Sequence, residues 1–492
     1  MYNKLLYGKD QTERIVCCEV QDSSTELFLQ SPEGVISSRI VPNRYWMLAN
    51  KKLGNKWHKL DGNLHYCWGT QFDERLDFIK ARQFHKRQDI YCIYDPKESF
   101  MVNGGYTYFK GMKREEVSVL SFDIETTGLN AEAEDAEVLL IANTFRDSRG
   151  NVTRRMFCYD DYENVFEAWC SWINEINPTI ILGHNIFSFD LPYIAARASR
   201  TGARLNLGRD GSDCIFDSHE SKFRKDGSQF YHYHKARIYG REIIDTLFLS
   251  IRYDVQRKYE SYALKQIIKQ EGLEVKDRVF YDASKIRDNY KNKEEWKKIK
   301  AYAMYDADDA LALYDLMSAP FFYMTQMIPK SYQEVISSAS GSQLNAMMVR
   351  SYLQERHSIP KADEPYPFEG AISYGNPGVY KNCVRWDVAS LYPSIMRQYK
   401  VYDCDKDPKG HFLELVEKLT TMRLEYKKLG KTNKYYDDLQ NSYKILANSC
   451  YGFLAAPGLQ FNCPQGAEFI TQTGREILSK AIEWATGERQ DV

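Results

Sequence analysis

The stretch VSVLSFDIETTGLN, residues 117–130, places two carboxylates at the end of an apolar strand. Side chains two positions apart on a strand point to the same face of a sheet, so Asp123 and Glu125 share a face. Two carboxylates arranged in this way can hold one metal ion. The competing interpretation is that the two carboxylates lie at a strand end that merely faces water. Other parts of the sequence are needed to decide between a metal site and a solvent-exposed pair.

The sequence that follows this stretch predicts an α/β layout. Apolar strands in EVLLIANTF and PTIILGHN alternate with helical stretches near 161–175 and from about 190. The same layout continues to a helix that ends near Leu316. We therefore expect a sheet with helices packed against it in the middle of the chain.

The two ends of the chain follow other patterns. Residues 1 to about 112 alternate short apolar runs with turn residues, which is typical of a small sheet-rich domain. Toward the C-terminus we expect a helix near 340–355, a strand at YKNCVRWDVAS, a helical hairpin near 411–428 and 435–450, and a last helix from about Ala467 to Trp484.

Length and composition limit the class of protein. A chain of 492 residues exceeds what one core serves, so we expect about two to four domains. No apolar run approaches the roughly 18 residues of a membrane span, and the start lacks the layout of a secretory signal, so we expect no membrane contact and a cytoplasmic location. The eleven cysteines form no CxxC pair, which argues against a zinc site or a disulfide framework. The net charge of −1 means that any basic groove for nucleic acid is local.

Two further polar groups follow predicted elements of the α/β region. In ILGHNIFSFDLPYI, Asn185 and Asp190 come just after an apolar run, at the start of a helix whose N-terminus favours anionic groups. Asp190 alone could serve as a helix cap. In AYAMYDADDALALYDL, Tyr302 and Asp306 are four apart and share one face of a helix. Tyr305 and Asp309 have the same spacing, so the choice between these two pairs is open at this point.

Taken together, DxE, NxxxxD and YxxxD in this order resemble the three exonuclease motifs of family B DNA polymerases, whose proofreading domain has a ribonuclease H-like fold. The resemblance implies phosphodiester hydrolysis with two divalent cations, Mg²⁺ or Mn²⁺, held by carboxylates. It favours the earlier tyrosine pair, because the family pattern has alanine directly after the aspartate, as Ala307 is here. Asp245, in REIIDTLFL, also fits the family and is interpreted as structural. The implied metal ligands are Asp123, Glu125, Asp190 and Asp306, with Tyr302 orienting the attacking water.

The segment WDVASLYPSIM, residues 386–396, resembles motif A of the same family. The resemblance implies that Asp387 binds both polymerase metals and that Val388 adds its main-chain carbonyl. Tyr392 would lie under the incoming sugar, where a 2′-hydroxyl would clash, with Leu391 beside it in the nucleotide site. A buried Tyr-Pro turn without function is the competing interpretation.

The segment KILANSCYG, residues 444–452, resembles motif B, KxxxNSxYG. Lys444, Asn448 and Tyr451 fall on one stripe of a helix. A lysine in such a stripe usually extends to solvent. The resemblance instead implies a deoxynucleoside triphosphate along the helix, with Lys444 on its phosphates and with Asn448, Tyr451 and Gly452 near the nascent base pair.

The other arm of the predicted hairpin, TTMRLEYKKLGK, carries Arg423 and Lys427 four positions apart. Basic residues at this spacing are usually a solvated face. The family resemblance places such a pair on the triphosphate tail, where a bidentate arginine and a lysine suit phosphate oxygens.

A third polymerase element, motif C with its pattern YxDTDS, does not occur in this sequence. Upstream of motif A, FEGAISYGNPGVY is similar to the template-contact segment of the family, although Gly370-Ala371 stands where paired glycines are usual. Three explanations for the missing motif compete: a split polymerase completed by a second polypeptide, as some phage enzymes are; an engineered or incomplete fragment; and a protein that keeps only the exonuclease. We favour the first, because fingers would have no purpose in an exonuclease alone.

These patterns together predict a multidomain α/β and α+β protein of DNA replication: a template-directed DNA polymerase with a 3′→5′ proofreading exonuclease and two divalent ions in each active site. Expected partners are primer–template DNA, deoxynucleotides, a single-stranded DNA 3′ end and a C-terminal polymerase polypeptide, with a sliding clamp as a further candidate. The alternatives are a stand-alone 3′→5′ DNA exonuclease and a non-catalytic primer–template-binding subunit. The predicted domains are an N-terminal domain (1–112), an exonuclease domain (113–325), a first part of the palm (326–405), fingers (406–455) and an incomplete palm without a thumb (456–492).

Overall fold

A computed structural model of the chain describes residues 2–364, 366–373, 375, 377–384 and 386–487. Strands and helices in these residues follow the chain order below. The strands are β1 (Ile15–Gln21), β2 (Ser24–Gln30), β3 (Ile36–Pro42), β4 (Tyr45–Ala49), β5 (His58–Lys59), β6 (Trp68–Phe72), β7 (Ile90–Tyr91), β8 (Val119–Thr126), β9 (Val138–Arg146), β10 (Val152–Cys158), β11 (Ile180–Gly183), β12 (Ile215–Asp226), β13 (Gln229–Arg237) and β14 (Glu242–Asp245). The helices are α1 (Lys4–Tyr7), α2 (Arg75–Phe84), α3 (Pro96–Gly104), α4 (Val165–Ile176), α5 (Asp190–Thr201), α6 (Thr246–Tyr253), α7 (Leu264–Gln270), α8 (Ile286–Asn289), α9 (Lys293–Met317), α10 (Ala319–Thr325), α11 (Tyr332–Ser337), α12 (Ser340–Gln354), α13 (Leu391–Tyr399), α14 (His411–Leu429), α15 (Lys434–Ala455) and α16 (Pro464–Thr486).

A five-stranded sheet in the order β10-β9-β8-β11-β14 forms the centre of the α/β region. Strands β8, β11 and β14 run parallel, and β9 pairs antiparallel with β8. The carboxyl ends of parallel strands meet at one edge of a sheet, which is where ligands bind in open α/β sheets. The acidic end of β8, the loop after β11 and Asp245 at the end of β14 therefore lie along the same edge.

Helix α9 covers one face of this sheet. Its buried Ala303 and Ala307 pack in one apolar cluster with Leu139 and Leu140 of β9. The hydroxyl of Ser121 donates a 2.7 Å hydrogen bond to the carbonyl of Ala307, which fixes the helix against the central strand. This contact sets the height at which Asp306 faces the end of β8.

The N-terminal region is rich in β-structure, as the sequence predicts. Strands β1, β2 and β3 form one antiparallel sheet, and β5, β6, β4 and β7 form another. Two isolated bridges, from Asp61 to His357 and from Tyr66 to Ile359, connect this region to the segment after α12. The long hairpin of β12 and β13 was not predicted from the sequence.

The C-terminal part is helical, and its hairpin has the predicted form. Helices α14 and α15 are antiparallel and are joined by a short turn between Leu429 and Lys434. The predicted helices near 340–355 and from about 467 correspond to α12 and α16. In the described residues no helix is long and apolar enough to cross a membrane.

The strand predicted at YKNCVRWDVAS is wrong for the described residues of that segment; Arg385 lies outside them. Residues 380–384 and 386–388 form neither helix nor strand and are exposed. A strand is stable only where a neighbouring strand takes up its main-chain hydrogen bonds. The part of the chain that the structure describes has no strand after Asp245, so this segment has no such neighbour. In the upstream segment FEGAISYGNPGVY, Tyr374 and Asn376 also lie outside the described residues.

Candidate active sites

Three carboxylates come together at the carboxyl end of β8. One oxygen each of Asp123, Glu125 and Asp306 lie within 4.8 Å of one another. Glu125 and Asp306 are both 7% exposed, so little water reaches them. Oxygen donors at this spacing are the ligands that Mg²⁺ and Mn²⁺ prefer, and the donor set therefore fits a divalent cation.

Asp190 is the fourth predicted ligand and lies at the same edge of the sheet. It is the first residue of α5 and is 3% exposed. Its side chain does not cap the helix by a hydrogen bond, because the cap position is Phe189 and has no side-chain bond. Asp190 stands outside the group of three carboxylates that lie within one ion's reach, although its charge acts on Asp123.

The pKa values of these acids reflect burial among like charges. Burial raises the pKa of Asp123 well above its usual range, and Asp306, Asp190 and Glu125 raise it further. Burial, together with the charge of Asp306, raises the pKa of Glu125 to about 8. Burial also raises the pKa of Asp190 to about 7. Several buried carboxylates that repel one another form a site that positive charge stabilises.

Asp245 shapes the loop that carries Asp190. The Asp245 carboxylate accepts hydrogen bonds from the main-chain N–H groups of Asn185 at 2.8 Å, Phe187 at 3.4 Å and Leu247 at 2.9 Å. Asn185 has a left-handed backbone with φ of 66°, which this bonding supports. The carboxylate thus holds the turn after β11 and caps α6, which agrees with the structural role inferred from sequence.

The choice between the two tyrosine–aspartate pairs is visible in the orientation of α9. Asp306 faces Asp123 and Glu125, whereas Asp309 lies outside that group and pairs with Arg278. Tyr302 is 5% exposed and its hydroxyl contacts the ammonium of Lys265. The geometry supports the earlier pair, while the catalytic roles of its members stay predictions.

Two basic residues at this site were not found from the sequence. Lys265 of α7 lies 3.2 Å from Asp306, and its ammonium is 3.9 Å from the centroid of the Tyr302 ring. Arg278 lies 2.7 Å from the other oxygen of Asp306. Both residues lie in polar, lysine-rich stretches where no spacing distinguishes them, so only the tertiary structure reveals their position.

A cavity of about 750 Å³ lies next to the loop after β11, and none of the four predicted metal ligands lines it. Asn185 lines it on one side and Ala263, two residues before Lys265, on another. Its wall includes three tyrosines and two arginines. These are Tyr231, Tyr259, Tyr262, Arg252 and Arg257.

The polymerase-motif residues are arranged more loosely. Asp387 and Val388 are exposed in the irregular segment, with Val388 51% exposed. Leu391 and Tyr392 begin α13, and the Tyr392 ring lies 4.7 Å from the Tyr451 ring. Arg423 donates a hydrogen bond to the hydroxyl of Ser390. Burial lowers the pKa of Arg423, and the charge of Asp387 opposes that shift.

The predicted nucleotide face of α15 is open. Lys444, Asn448 and Gly452 are exposed, and Tyr451 is half-buried. All four line a cavity of about 640 Å³. The same cavity is lined by Tyr253 at the end of α6 and by Asp254, Val255, Gln256 and Lys258 after it. Lys427 of α14 is exposed. The structure thus brings Tyr451 of motif B together with Tyr392, and leaves Asp387 outside any carboxylate cluster of the described residues.

Two family models match the chain. The exonuclease domain of DNA polymerase family B matches residues 106–267, and DNA polymerase family B matches residues 398–491. Tyr302, Asp306 and Asp387 lie between the two matched ranges. The chain belongs to DNA polymerase family B.

Relatives and a solved structure agree with this assignment. The chain is 27% identical over 463 residues to a DNA polymerase of Pyrococcus glycovorans, covering 84% of this chain and 57% of that one. It is 26% identical over 464 residues to the DNA polymerase delta catalytic subunit of Arabidopsis thaliana, covering 80% and 41%. The chain thus spans about half the length of the curated relatives it matches. Its fold is similar to the family B DNA polymerase of Pyrobaculum calidifontis, with a TM-score of 0.76 at 18% identity, over 96% of this chain and 71% of that one.

Proposed function

We propose that this chain is a 3′→5′ DNA exonuclease joined to the motif A and motif B portion of a template-directed DNA polymerase. The group formed by half-buried Asp123 with buried Glu125 and Asp306 at the end of the central strand carries the exonuclease part. The family membership and the open stripe of α15 support the polymerase part.

The exonuclease chemistry follows from the residues at the end of β8. Asp123, Glu125, Asp190 and Asp306 would hold two divalent cations, which activate water and stabilise charge on the phosphate when they are bound. Tyr302 would orient the attacking water through its hydroxyl. Low exposure of the acids keeps the local dielectric low, which strengthens every charge interaction in the site.

The cavity next to the loop after β11 is the proposed binding place of the single-stranded 3′ end. The half-buried Tyr231 and Tyr262 offer rings on which bases can stack without sequence preference, whereas Tyr259 is buried. Lys225 and Arg257 offer positive charge to the phosphates, next to the acidic Asp226, Asp254 and Glu260 of the same wall. Binding of this kind weakens as salt rises, because phosphate contacts release counterions.

The polymerase part needs a strand and a second carboxylate that the described residues do not provide. The exposed segment around Asp387 and the open face of α15 support a site that another stretch of polypeptide completes. Our hypothesis is that a stretch of polypeptide carrying motif C, either joined to this chain or separate from it, supplies both. A trans-complementation assay tests it: a separately expressed family B segment with motif C and thumb should restore primer extension to the purified chain.

A primer-degradation assay tests the exonuclease. The purified chain with Mg²⁺ should shorten a 5′-labelled primer on its template, and Asp306→Ala should abolish the shortening. Asp308→Ala is the matched control, because Asp308 lies on the same helix but pairs with Arg154 outside the cluster. Equal loss in both variants would show that α9 is merely sensitive to substitution.

The same assay with the four deoxynucleotides separates the alternatives. If the chain shortens the primer, and adding a polypeptide with motif C does not lead to primer extension, a stand-alone exonuclease is favoured. Tight, salt-sensitive binding of primer–template without any shortening would favour a non-catalytic binding subunit.

A further inference from the structure

Arg278 occupies a buried position between α7 and α9. Its side chain is 3% exposed, and its guanidinium bridges two aspartates one turn apart on α9. One terminal nitrogen donates to Asp306 Oδ1 at 2.7 Å, and the other donates to Asp309. Buried charges are stable only when they are paired, so this bridge accounts for an arginine in the interior.

Both oxygens of Asp306 are therefore engaged by cations of the protein itself. Arg278 takes Oδ1, and the ammonium of Lys265 lies 3.2 Å from Oδ2. No such ion pair is recorded for Asp123 or Glu125 in the described residues, although both lie within one ion's reach of Asp306. A divalent cation that uses an Asp306 oxygen must share or displace one of these partners.

Asp309 is a second anionic partner for Arg278. Its carboxylate is 4% exposed, and it stays outside the three-carboxylate group that fits a divalent ion. The rings of Phe280 and Tyr305 lie 5.5 and 5.8 Å from the guanidinium and form its surroundings. Arg278 can thus leave Asp306 and keep a buried anionic partner.

We propose that Arg278 is an internal counter-cation of the exonuclease site: it bridges Asp306 and Asp309 without divalent metal, and withdraws to Asp309 when metal binds Asp306. The inference rests on the proposed role of Asp306 as a metal ligand. Arg278 is in this sense a positioning residue, since it acts on the reaction only through Asp306.

Metal affinity and stability of the full chain test the exchange. Mn²⁺ binding is measured by calorimetry on chelator-treated protein that carries Asp387→Ala, so that the polymerase acid does not contribute. Arg278→Met should bind Mn²⁺ roughly fivefold or more tightly than the parent, because no internal cation competes for Asp306. The same variant should melt at a lower temperature without metal, because two buried carboxylates lose their partner.

Three more variants separate exchange from a simple effect of charge. Arg278→Lys keeps the charge, but a single ammonium cannot reproduce the fork that spans two aspartates, so its affinity should also rise. Asp309→Asn removes the carboxylate to which Arg278 would withdraw, so Arg278 should stay on Asp306. Mn²⁺ binding should therefore weaken, although Asp309 is not a metal ligand. In Arg278→Met/Asp309→Asn that weakening should vanish, because it depends on the arginine.

A matched control and a functional control complete the design. Arg154→Met removes an arginine–aspartate pair from the same helix, at Asp308, and should leave Mn²⁺ affinity unchanged. Asp123→Ala should abolish high-affinity binding. If it does not, the proposed metal site is wrong, whatever Arg278 does.

The opposite results would overturn the counter-cation role. Weaker Mn²⁺ binding in Arg278→Met would show that the arginine orients Asp306 for metal instead of competing with it. Unchanged affinity in Asp309→Asn, or the same loss with and without Arg278, would show that the arginine does not move between the two aspartates.

Discussion

The two acidic centres of this chain differ in how far the protein assembles them. Glu125, Asp190 and Asp306 are buried at 7%, 3% and 7% exposure on elements whose neighbours are all present. Asp387 lies in an irregular segment whose flanking Trp386 and Val388 are 57% and 51% exposed. A strand that is paired on both sides holds its carboxylates in a fixed place, whereas a segment with no pairing strand among the described residues does not.

The sharpest test of this comparison is a pair of aspartate substitutions. Asp123→Ala should reduce 3′→5′ degradation of single-stranded DNA by about a thousandfold, since losing a metal ligand removes several kcal/mol of transition-state stabilisation. Asp387→Ala should leave the rate of degradation within about twofold, because the two centres share no residue. A large loss in Asp387→Ala would show that the centres are coupled.

Amide hydrogen exchange compares the two segments directly. Residues 119–121 of β8 pair with strands on both sides and should exchange only on global or sub-global opening. Residues 377–384, which form no helix or strand, should exchange within the shortest labelling time. Slow exchange in residues 377–384 would mean that this segment finds a pairing partner in solution. The two segments would then not differ in how well the protein orders them.

Asp245 tests how much the exonuclease site depends on its supporting loop. Asp245→Ala removes the acceptor for the N–H groups of Asn185, Phe187 and Leu247 and should reduce degradation by about 10- to 100-fold. Asp245→Asn keeps one acceptor oxygen and should lose less. Equal activity of Asp245→Ala and the parent would show that the loop holds its shape without this carboxylate.

The smallest expected effect is a pH dependence located in the central sheet. Burial raises the pKa of Glu242, at the start of β14, from 4.5 to about 7, against the opposing charge of Lys97 and with Glu19 and Cys17 close by. The folded protein therefore holds a proton that the unfolded chain releases, and this stability is complete below about pH 4.5 and is lost as pH rises through 7. Between pH 5 and 8 the melting temperature of the protein should fall by roughly a few degrees.

Glu242→Gln provides the control, because it mimics the protonated acid. The melting temperature of this variant should depend less on pH than that of the parent. The protection of β14 amides from hydrogen exchange should also depend less on pH. Exchange of α14 and α15 should show the same pH response in both proteins. A parent that becomes more stable as pH rises, by a margin that the variant lacks, would reverse the sign assigned to Glu242.

Sequence patterns predicted the elements with strong local signals. The strands around 119–126, 138–146 and 180–183 and the hairpin of α14 and α15 agree with the apolar periodicity and the turn residues between them. The strand at motif A was wrong, because its alternating Val384, Trp386 and Val388 fit a strand but cannot supply a neighbour. The hairpin of β12 and β13 was missed, since its largely exposed residues give little periodic signal.

What the sequence determined by itself is the set of chemical groups and their order along the chain. The shared face of Asp123 and Glu125 and the stripe from Lys444 to Gly452 follow from residue periodicity. The preference for Tyr302 with Asp306 over Tyr305 with Asp309 came from a family resemblance, and the roles of that pair stay predictions. Only the tertiary structure decided that Lys265 and Arg278 meet Asp306, and that Asp245 holds the loop before Asp190. Those contacts join residues far apart in the chain, and such meetings depend on how the sheet and helices pack, which no local pattern records.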